Sequence, residues 1–280
     1  MTEQQSEPLS PLEDLLSACP IIGVYGKTGT GKTTFGASLM GDPRYRKVLY
    51  LDADRSSLTV QAYVRQESLC DYRAPDVTSA LALQQWLVRQ IAGAHKVPGI
   101  QAVIIEGLAR LYEDLVGEAY AQASPEDLVG DKLMRLYIAP AGLVKATITA
   151  ACNMQSQFIK SGRHVPTIIT STTKEKSEGF KKGWDVPALS DSATGLLQAR
   201  SDAFLQMERS GKTTVLRTDR DNNTSMRKLR GATAAQAVAA LKNPTAPQML
   251  QVWADCLAAE GAAVHEYLQS QNTQESTESS

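Results

Sequence analysis

The sequence predicts an α/β fold in which helices cover both faces of a mostly parallel sheet. Two observations lead to this prediction. Short apolar runs typical of buried strands alternate along the chain with longer stretches in which apolar residues recur at helical spacing. Ala, Leu and Val are frequent and aromatic residues make up only 6% of the chain, a composition that favours helix-rich α/β proteins over all-β sandwiches.

The first part of the chain supplies four of the predicted strands. They cover residues 21–25, 47–51, 101–105 and 167–170. Helical patterns fill residues 34–40, 80–94 and 108–158, the last interrupted near Pro125 and at Pro140. Because strands that alternate with long helices are joined by crossovers, neighbouring strands are expected to be parallel.

The character of the chain changes after residue 170. Residues 171–190 are polar and rich in lysine, and they predict a mobile loop. A turn at residues 221–223 is predicted to join two late strands into a hairpin. The strands predicted in this part cover residues 203–207, 213–218 and 226–229.

These patterns also predict the domain organisation. We expect one core over residues 11–231 and a C-terminal helical appendage over residues 232–269, broken at Asn243-Pro244, that packs on the core or on a neighbour. The polar ends, residues 1–10 and 270–280, offer little apolar surface to bury, so both are predicted to be disordered.

Charge and cysteine content restrict the class of protein. With 29 basic and 30 acidic residues the formal net charge is −1, which argues against a histone-like nucleic-acid binder. The four cysteines lie far apart without a CxxC pair, so neither a zinc cluster nor a disulfide framework is expected. There is no signal-peptide pattern and no apolar run that could span a bilayer. We therefore expect a soluble cytoplasmic protein without a membrane partner.

The strongest motif is Gly26–Thr33, a full match to GxxxxGK[ST] between a predicted strand and a predicted helix. Its glycines let successive backbone N–H groups point at phosphate oxygens, and the start of the helix adds partial positive charge. Lys32 would reach the β- and γ-phosphates and the Thr33 hydroxyl would ligate Mg²⁺. No NKxD element is present, which favours ATP over GTP. The predicted nucleotide-binding residues are Gly26, Lys27, Thr28, Gly29, Thr30, Gly31, Lys32, Thr33 and Thr34.

Carboxylates follow two of the predicted strands. Glu106 ends one strand and would hold the Mg²⁺ shell, but Gly107 follows it, and the lack of a second acid argues against an AAA+ ATPase. Asp52 and Asp54 end another strand, where alternation puts both on one side. One could orient the attacking water while the other supports it, and the sequence leaves open which. The alternative is that these acids are solvated turn residues.

The order of these motifs resembles the RecA-like branch of P-loop ATPases over residues 19–230. In that branch a strand ending D-A-E supplies the catalytic acid, so the resemblance gives Asp54 this position, although as the shorter Asp. VIIEGLARL resembles the magnesium strand, which usually ends Asp-Ser. TIITSTTKEK resembles the strand that ends in a phosphate-sensing residue, with Thr170, Ser171 or Thr172 as candidates, of which Thr172 is taken as the nucleotide contact.

The resemblance extends to quaternary structure. SATGLLQARSDAFLQMER resembles the helix and strand that follow the mobile DNA-binding loop of the family. VLRTDRDNNTSMRKL resembles the segment in which hexameric members carry K-x-R, whose Arg enters the neighbouring active site; Arg220 matches this Arg and Thr218 replaces the Lys. The resemblance thus implies a homo-oligomer, ring or filament, with Arg220 acting in trans. Compact phage ATPases linked to single-strand annealing and recombination are similar in size and layout, and a phage-encoded chain would work in the host cytoplasm.

Positive charge is concentrated near this loop. Residues 172–230 hold 12 basic and 8 acidic residues, a balance of +4 that leaves −5 for the rest of the chain. Lysines for phosphates and aromatic rings for base stacking are the components of single-strand binding sites. The alternative is a solvated Lys-rich loop. The candidate nucleic-acid contacts are Lys174, Lys176, Phe180, Lys181, Lys182 and Trp184.

Two functional hypotheses remain open from the sequence. The first is a Mg²⁺-dependent ATP-hydrolysing motor or switch that acts in DNA recombination or remodelling on single-stranded DNA. The second is a nucleotide-gated oligomeric scaffold ATPase that acts on a protein partner without DNA. Both predict in-line attack on the γ-phosphate. The predicted catalytic residues are Lys32, Asp54 or Asp52, Glu106 and Arg220.

Overall fold

The computed structural model describes residues 20–54, 60, 69–176, 184–217, 228–229 and 232–278. Its strands are β1 (Ile21–Gly26), β2 (Lys47–Asp52), β3 (Leu69–Arg73), β4 (Ala102–Glu106), β5 (Thr167–Lys176), β6 (Trp184–Pro187), β7 (Ala203–Ser210), β8 (Thr213–Arg217) and β9 (Lys228–Leu229). Its α-helices are α1 (Lys32–Ala37), α2 (Ala80–Gly93), α3 (Leu108–Gln122), α4 (Gly130–Lys160), α5 (Asp191–Arg200), α6 (Ala232–Ala239) and α7 (Ala246–Glu278). Short 3₁₀ turns cover Ser38–Gly41, Ala94–Lys96 and Pro125–Leu128.

The described strands form one sheet in the order β3-β2-β4-β5-β1-β7-β8. All neighbours from β3 to β7 are parallel, and the antiparallel pairs are β7–β8, β7–β9 and β5–β6. The mostly parallel sheet predicted from the alternation of strand and helix is therefore confirmed. Because β5 lies between β1 and β4, the carboxyl ends of β2, β4, β5 and β1 meet at one edge, where open α/β sheets bind ligands.

Each face of the sheet carries its own apolar core. Along β2, Leu49 and Leu51 belong to the core under α2, α3, α4 and α5, whereas Val48 and Tyr50 belong to the core under α1 and α7. This is the alternation that a strand buried on both faces requires. It explains why the strands read as continuous apolar runs in the sequence. No described helix is apolar enough over a sufficient length to cross a membrane.

The C-terminal helices cover one face of the sheet. Met249, Leu250 and Trp253 of α7 are fully buried in the core that contains Phe35 of α1. The α7 helix begins where the backbone N–H of Ala246 donates to Ser38 Oγ at 2.9 Å. The break between α6 and α7 matches the one predicted at Asn243-Pro244. Two helices therefore occupy most of the chain from residue 232 to residue 278, and the first half of α7 packs against the core. The division into a core and an appendage stays a prediction.

Helix α7 continues to Glu278, through residues 270–278 for which the polar composition predicts a disordered tail. A helix that is already formed extends at the cost of ordering one residue for each new hydrogen bond. Extension therefore needs no apolar surface of its own. The prediction of a disordered tail, in contrast, was based on the lack of apolar residues to bury.

The loop predicted over residues 171–190 is in part a β-ribbon. Strand β5 runs on to Lys176, and its residues 173–176 pair antiparallel with β6. The backbone N–H of Ala188 donates to the Thr172 carbonyl at 2.8 Å, next to the base of the ribbon. The prediction of a mobile loop is wrong for these two arms, because cross-strand pairing stabilises strands whose side chains are polar. Residues 177–183 lie outside the described residues.

Two further differences concern the strands. The short strand β3 was not predicted, because its sequence LCDYR has neither an apolar run nor strict alternation. Strand β8 pairs with residues 206–210 of β7 and β9 with residues 203–204, so the two lie end to end along β7. The hairpin expected between β8 and β9 is therefore not the arrangement observed, since β7 is long enough to pair with both.

Candidate nucleotide site

The segment Gly26–Thr33 joins the carboxyl end of β1 to α1, as its motif predicts. The backbone N–H of Thr30 and its hydroxyl both donate to the Lys27 carbonyl, at 3.2 and 2.8 Å, and close the turn. At Gly26 a Cβ atom would lie 2.3 Å from the carbonyl oxygen of Met207 on β7, so a side chain has no space there. Glycine at this position lets β7 approach the start of the loop.

The Lys32 ammonium is enclosed by the loop. It donates to the carbonyl oxygens of Gly26 and Lys27, both at 2.9 Å. Burial lowers the pKa of Lys32, and the negative charges of Glu106 and Asp54 act in the opposite direction. The ammonium is thus held inside the turn whose backbone N–H groups would surround a bound phosphate.

Glu106 is a buried carboxylate, with only 3% of its surface exposed. One of its oxygens accepts a hydrogen bond from the Thr33 hydroxyl and the other from the Tyr50 hydroxyl. Burial raises the pKa of Glu106 to about 7, against the lowering effects of the Thr33 hydrogen bond and the Lys32 charge. The carboxylate therefore links β4 to α1 on one side and to β2 on the other.

This donor set suits Mg²⁺, which prefers carboxylate and hydroxyl oxygens and completes its shell with water and nucleotide phosphates. Thr33 and Glu106 lie in direct contact and can supply the protein oxygens. Within the described residues there is no cluster of three or more His, Cys, Asp or Glu side chains that could hold a metal.

The structure explains why Gly107 follows Glu106, where the magnesium strand of RecA-like ATPases usually has Ser after Asp. Gly107 has a φ of 92° and is the N-cap of α3. A Cβ atom there would lie 2.7 Å from the backbone nitrogen of Asp54, because the Ala53 N–H donates to the Glu106 carbonyl at 3.1 Å and holds the two chain segments together. Neither the backbone angle nor the space tolerates a side chain.

The two acids at the end of β2 have different surroundings. Asp52 is fully buried and accepts a hydrogen bond from the Tyr72 hydroxyl at 2.7 Å. Asp54 is exposed at the edge of the sheet. Partial burial raises the pKa of Asp54, the charge of Asp52 adds to this effect, and Arg110 and Lys32 oppose it. Of the two carboxylates, Asp54 is the one that can meet a ligand.

A cavity of about 340 Å³, the P-loop cavity, brings the predicted groups together. Asp54 lines it and Asp52 does not, while Lys27 and Thr30 line a separate cavity of about 420 Å³ on the other side of the loop. The residues that line the P-loop cavity are Thr28, Gly29, Gly31, Lys32, Thr33, Thr34, Asp54, Glu106, Gly107, Ala109, Arg110, Thr170, Ser171 and Thr172.

Strand β5 brings three hydroxyls to this cavity. Thr170 and Ser171 are buried, and the Ser171 hydroxyl donates to the Thr172 carbonyl at 3.1 Å. Thr172 is half-buried and pairs in register with Gly26, which places it beside the first residue of the loop. The strand order therefore explains how the candidate phosphate-sensing residues lie next to the P-loop.

Three residues at the site were not found from the sequence. Tyr50 and Tyr72 hold the two buried carboxylates, and Arg110 lines the P-loop cavity from the first turn of α3. Tyr50 and Asp52 are two residues apart on one strand, so both lie on the same face of the sheet. This spacing is a sequence signal that could have identified Tyr50. Tyr72 and Arg110 come from other elements, and no local pattern marks them.

The candidate nucleic-acid residues fall mostly on the β-ribbon and beyond it. The Lys174 ammonium donates to the Leu189 carbonyl at 2.6 Å, and Lys176 pairs with Trp184 across the ribbon. The remaining ones, Phe180, Lys181 and Lys182, lie outside the described residues, and so does Arg220.

The family with the description AAA domain matches residues 20–237, well over half of the chain. The chain belongs to the AAA domain family. It is a P-loop ATPase with a P-loop NTPase fold, and the prediction of an ATP-hydrolysing enzyme is confirmed at this level. The missing second acid after Glu106 does not separate the chain from AAA-type ATPases, contrary to the expectation from the sequence.

The solved structures to which the chain is similar include two ATPases of type III secretion systems. A prototypical ATPase from the type III secretion system of pathogenic bacteria is 14% identical, with a TM-score of 0.42 over 68% of this chain and 51% of that one. The assembled ATPase EscN from enteropathogenic E. coli is 16% identical, with a TM-score of 0.41 over 68% and 43%. The chain thus spans about half the length of these proteins or less. No curated protein matches the sequence.

The contact between Gly107 and Asp54 predicts the effect of adding one methyl group. We expect Gly107→Ala to lower the free energy of unfolding by about 2–4 kcal/mol, because a positive φ and a short contact are both unfavourable for alanine. Urea unfolding measures this change. Gly142→Ala is the matched control, since nothing lies within 4 Å of a Cβ atom at this helical glycine. It should be neutral or stabilising, and equal losses in both variants would contradict the prediction.

Proposed function

We propose that this ATPase is Mg²⁺-dependent and that Asp54 orients the water that attacks the γ-phosphate. The observation that carries the proposal is the P-loop cavity, in which Asp54 lies with Lys32, Thr33, Glu106 and Thr172 at one edge of the sheet. Asp52 is enclosed by protein and bonded to Tyr72, so it supports the end of β2 from behind.

Each group has a defined task in this mechanism. Lys32 neutralises charge on the β- and γ-phosphates, and Thr172 donates its hydroxyl to the γ-phosphate. Thr33 and Glu106 would hold Mg²⁺, which when bound would supply positive charge against the negative charge that develops on the phosphoryl oxygens. Asp54 accepts a hydrogen bond from the attacking water and receives its proton. The raised pKa of Asp54 brings the carboxylate closer to the range in which a general base is effective.

We further propose that the protein works as a RecA-like homo-oligomer in which Arg220 of one subunit reaches the nucleotide of the next. The support is the sequence resemblance together with the place of the flanking strands. Strands β8 and β9, which come before and after the segment that carries Arg220, both pair with β7 on the side away from β1.

The proposed target is single-stranded DNA, on which the ATPase would act as a motor or switch in recombination or remodelling. The favouring observation is the continuity of β5. The strand runs from Thr170–Thr172 in the P-loop cavity to Lys174 and Lys176 in the ribbon, which leads into the basic segment. A change at the γ-phosphate therefore acts on the same strand that carries the first lysines.

A second candidate function is a nucleotide-gated scaffold that binds a protein partner. It is favoured by exposed apolar side chains at the start of α4, where Val129, Met134 and Ile138 are 64%, 59% and 64% exposed. Neighbouring exposed apolar residues of this size often mark protein interaction sites. In this case DNA would not affect turnover.

The different surroundings of the two acids predict different outcomes on substitution. Asp54→Asn should lower turnover by about 10²–10⁴-fold with little change in ATP affinity, because it removes the group that receives the proton. Asp52→Asn keeps an acceptor for Tyr72 and removes no group from the cavity, so its loss should stay below about tenfold. Steady-state phosphate release and equilibrium ATP binding measure both. The reverse order of effects would assign the water to Asp52.

The trans position of Arg220 predicts complementation between two defective chains. Arg220→Ala alone should be nearly inactive with nucleotide affinity retained. Mixed with Asp54→Asn at equal amounts, it should regain about a quarter of wild-type activity, because a quarter of randomly formed interfaces join an intact Asp54 to an intact Arg220. Full activity of Arg220→Ala alone, or no recovery in the mixture, would exclude the trans role.

The DNA proposal predicts a defined salt dependence. Replacing Lys181 and Lys182 by Ala should weaken single-strand binding and reduce the slope of log affinity against log salt by about 1.4, at about 0.7 per phosphate contact. A matched control replaces Lys132 and Lys160 on α4 and should leave the slope unchanged. Fluorescence anisotropy with a labelled oligonucleotide measures the slope. If the wild-type protein neither binds single-stranded DNA nor is stimulated by it, the scaffold function is the better one.

A further inference from the structure

Arg110 lies at the boundary between two cavities. It is the third residue of α3, which begins directly after Glu106-Gly107, and its side chain lines the P-loop cavity. It also lines a neighbouring cavity of about 560 Å³ beside the start of α2, which we call the α2 cavity. Asp54 lines both cavities as well. Arg110 is therefore next to the carboxylate proposed to orient the water.

An arginine at this position is unfavourable for the helix itself. The amino end of a helix carries partial positive charge and favours acidic side chains in its first turn. The first turn of α3 contains no acidic residue and places Arg110 there instead. A residue that contradicts a local preference often serves a functional site.

The observed partner of Arg110 holds it only weakly. Its Nε atom lies 2.9 Å from Asp114 Oδ1, one helical turn away, and the two side chains are 59% and 37% exposed. Solvent-exposed pairs of this kind contribute little free energy. A guanidinium forms stronger, two-pronged hydrogen bonds with a phosphate. Arg110 is thus a cation that can change partners at low cost.

Lys32, unlike Arg110, is held firmly by its hydrogen-bond partners. Its ammonium is enclosed and held by two carbonyl oxygens of the loop. Among the residues that line the P-loop cavity, Lys32 and Arg110 are the two cations. Lys32 is fixed where the motif predicts the β- and γ-phosphates. Arg110 reaches the cavity from α3, on the side where Asp54 lies.

We propose that Arg110 leaves Asp114 when ATP binds and donates hydrogen bonds to the γ-phosphate, as a second cation supplied by the same subunit. This inference rests on the proposed function of the P-loop cavity. Arg110 itself makes and breaks no covalent bond in this step, and it keeps its protons throughout. Because ADP lacks the γ-phosphate, Arg110 makes the site selective for ATP over ADP and stabilises charge on the group that is transferred.

The deciding experiment compares the affinities of Mg²⁺-ATPγS and Mg²⁺-ADP by calorimetry. Arg110→Ala should weaken ATPγS binding at least tenfold and leave ADP binding within about twofold, while turnover at saturating ATP falls at least tenfold. Arg110→Lys should restore part of the ATPγS preference, since it keeps the charge without the two-pronged geometry. Arg135→Ala on α4 is the control for a lost exposed arginine and should change neither affinity.

Equal losses for ATPγS and ADP, or no loss for either, would overturn the role of Arg110. A purely structural role would not change the ratio of the two affinities. Failure of the proposed function has a different signature. If Lys32→Ala retained ATPγS binding, the P-loop cavity would not be the nucleotide site. If Asp54→Asn retained full turnover, the water assignment would be wrong while the affinity ratio would still decide the role of Arg110.

Discussion

The architecture of the site depends on the burial of one carboxylate. Glu106 is almost without solvent contact, and a buried charge is tolerated only when its oxygens have partners. Thr33 at the start of α1 and Tyr50 on β2 each bond one of its oxygens. These bonds fix the distance between the P-loop, β4 and β2. The Gly107 contact with Asp54 follows from the same approach, since β4 and the end of β2 are held together directly beyond the carboxylate.

The sequence predicts those parts of this site that lie in one continuous segment. The P-loop and its lysine are recognisable because strand, loop and helix follow one another between residues 21 and 40, and Glu106 and Asp54 because each ends an apolar strand. Tyr72 and Arg110 reach the site from other elements, through the strand order and the start of α3. The sequence could not separate Asp52 from Asp54 either, since their difference is one of burial by Tyr72 and its neighbours.

The fold shows the same division between local and distant information. Strands buried on both faces are apolar throughout and were predicted within a few residues of their observed ends. Strand β6 and the outer part of β5 are polar, and β3 is short, so their stability comes from the partner strand and leaves no local pattern. The net charge of −1 also hides a local difference, because the segment with an excess of basic residues begins at residue 172, where β5 leaves the sheet.

The pairing of β5 changes along its length, and this has a mechanical consequence. Residues Thr167–Thr172 pair with β1, and the first three of them also pair with β4, whereas residues 173–176 pair with β6. The lateral restraint of the large sheet therefore stops after Thr172, which lines the nucleotide cavity. A two-stranded ribbon bends more easily than a sheet of many strands. We therefore expect the ribbon to bend between Thr172 and Thr173, next to the cavity in which we propose that the nucleotide phosphates bind.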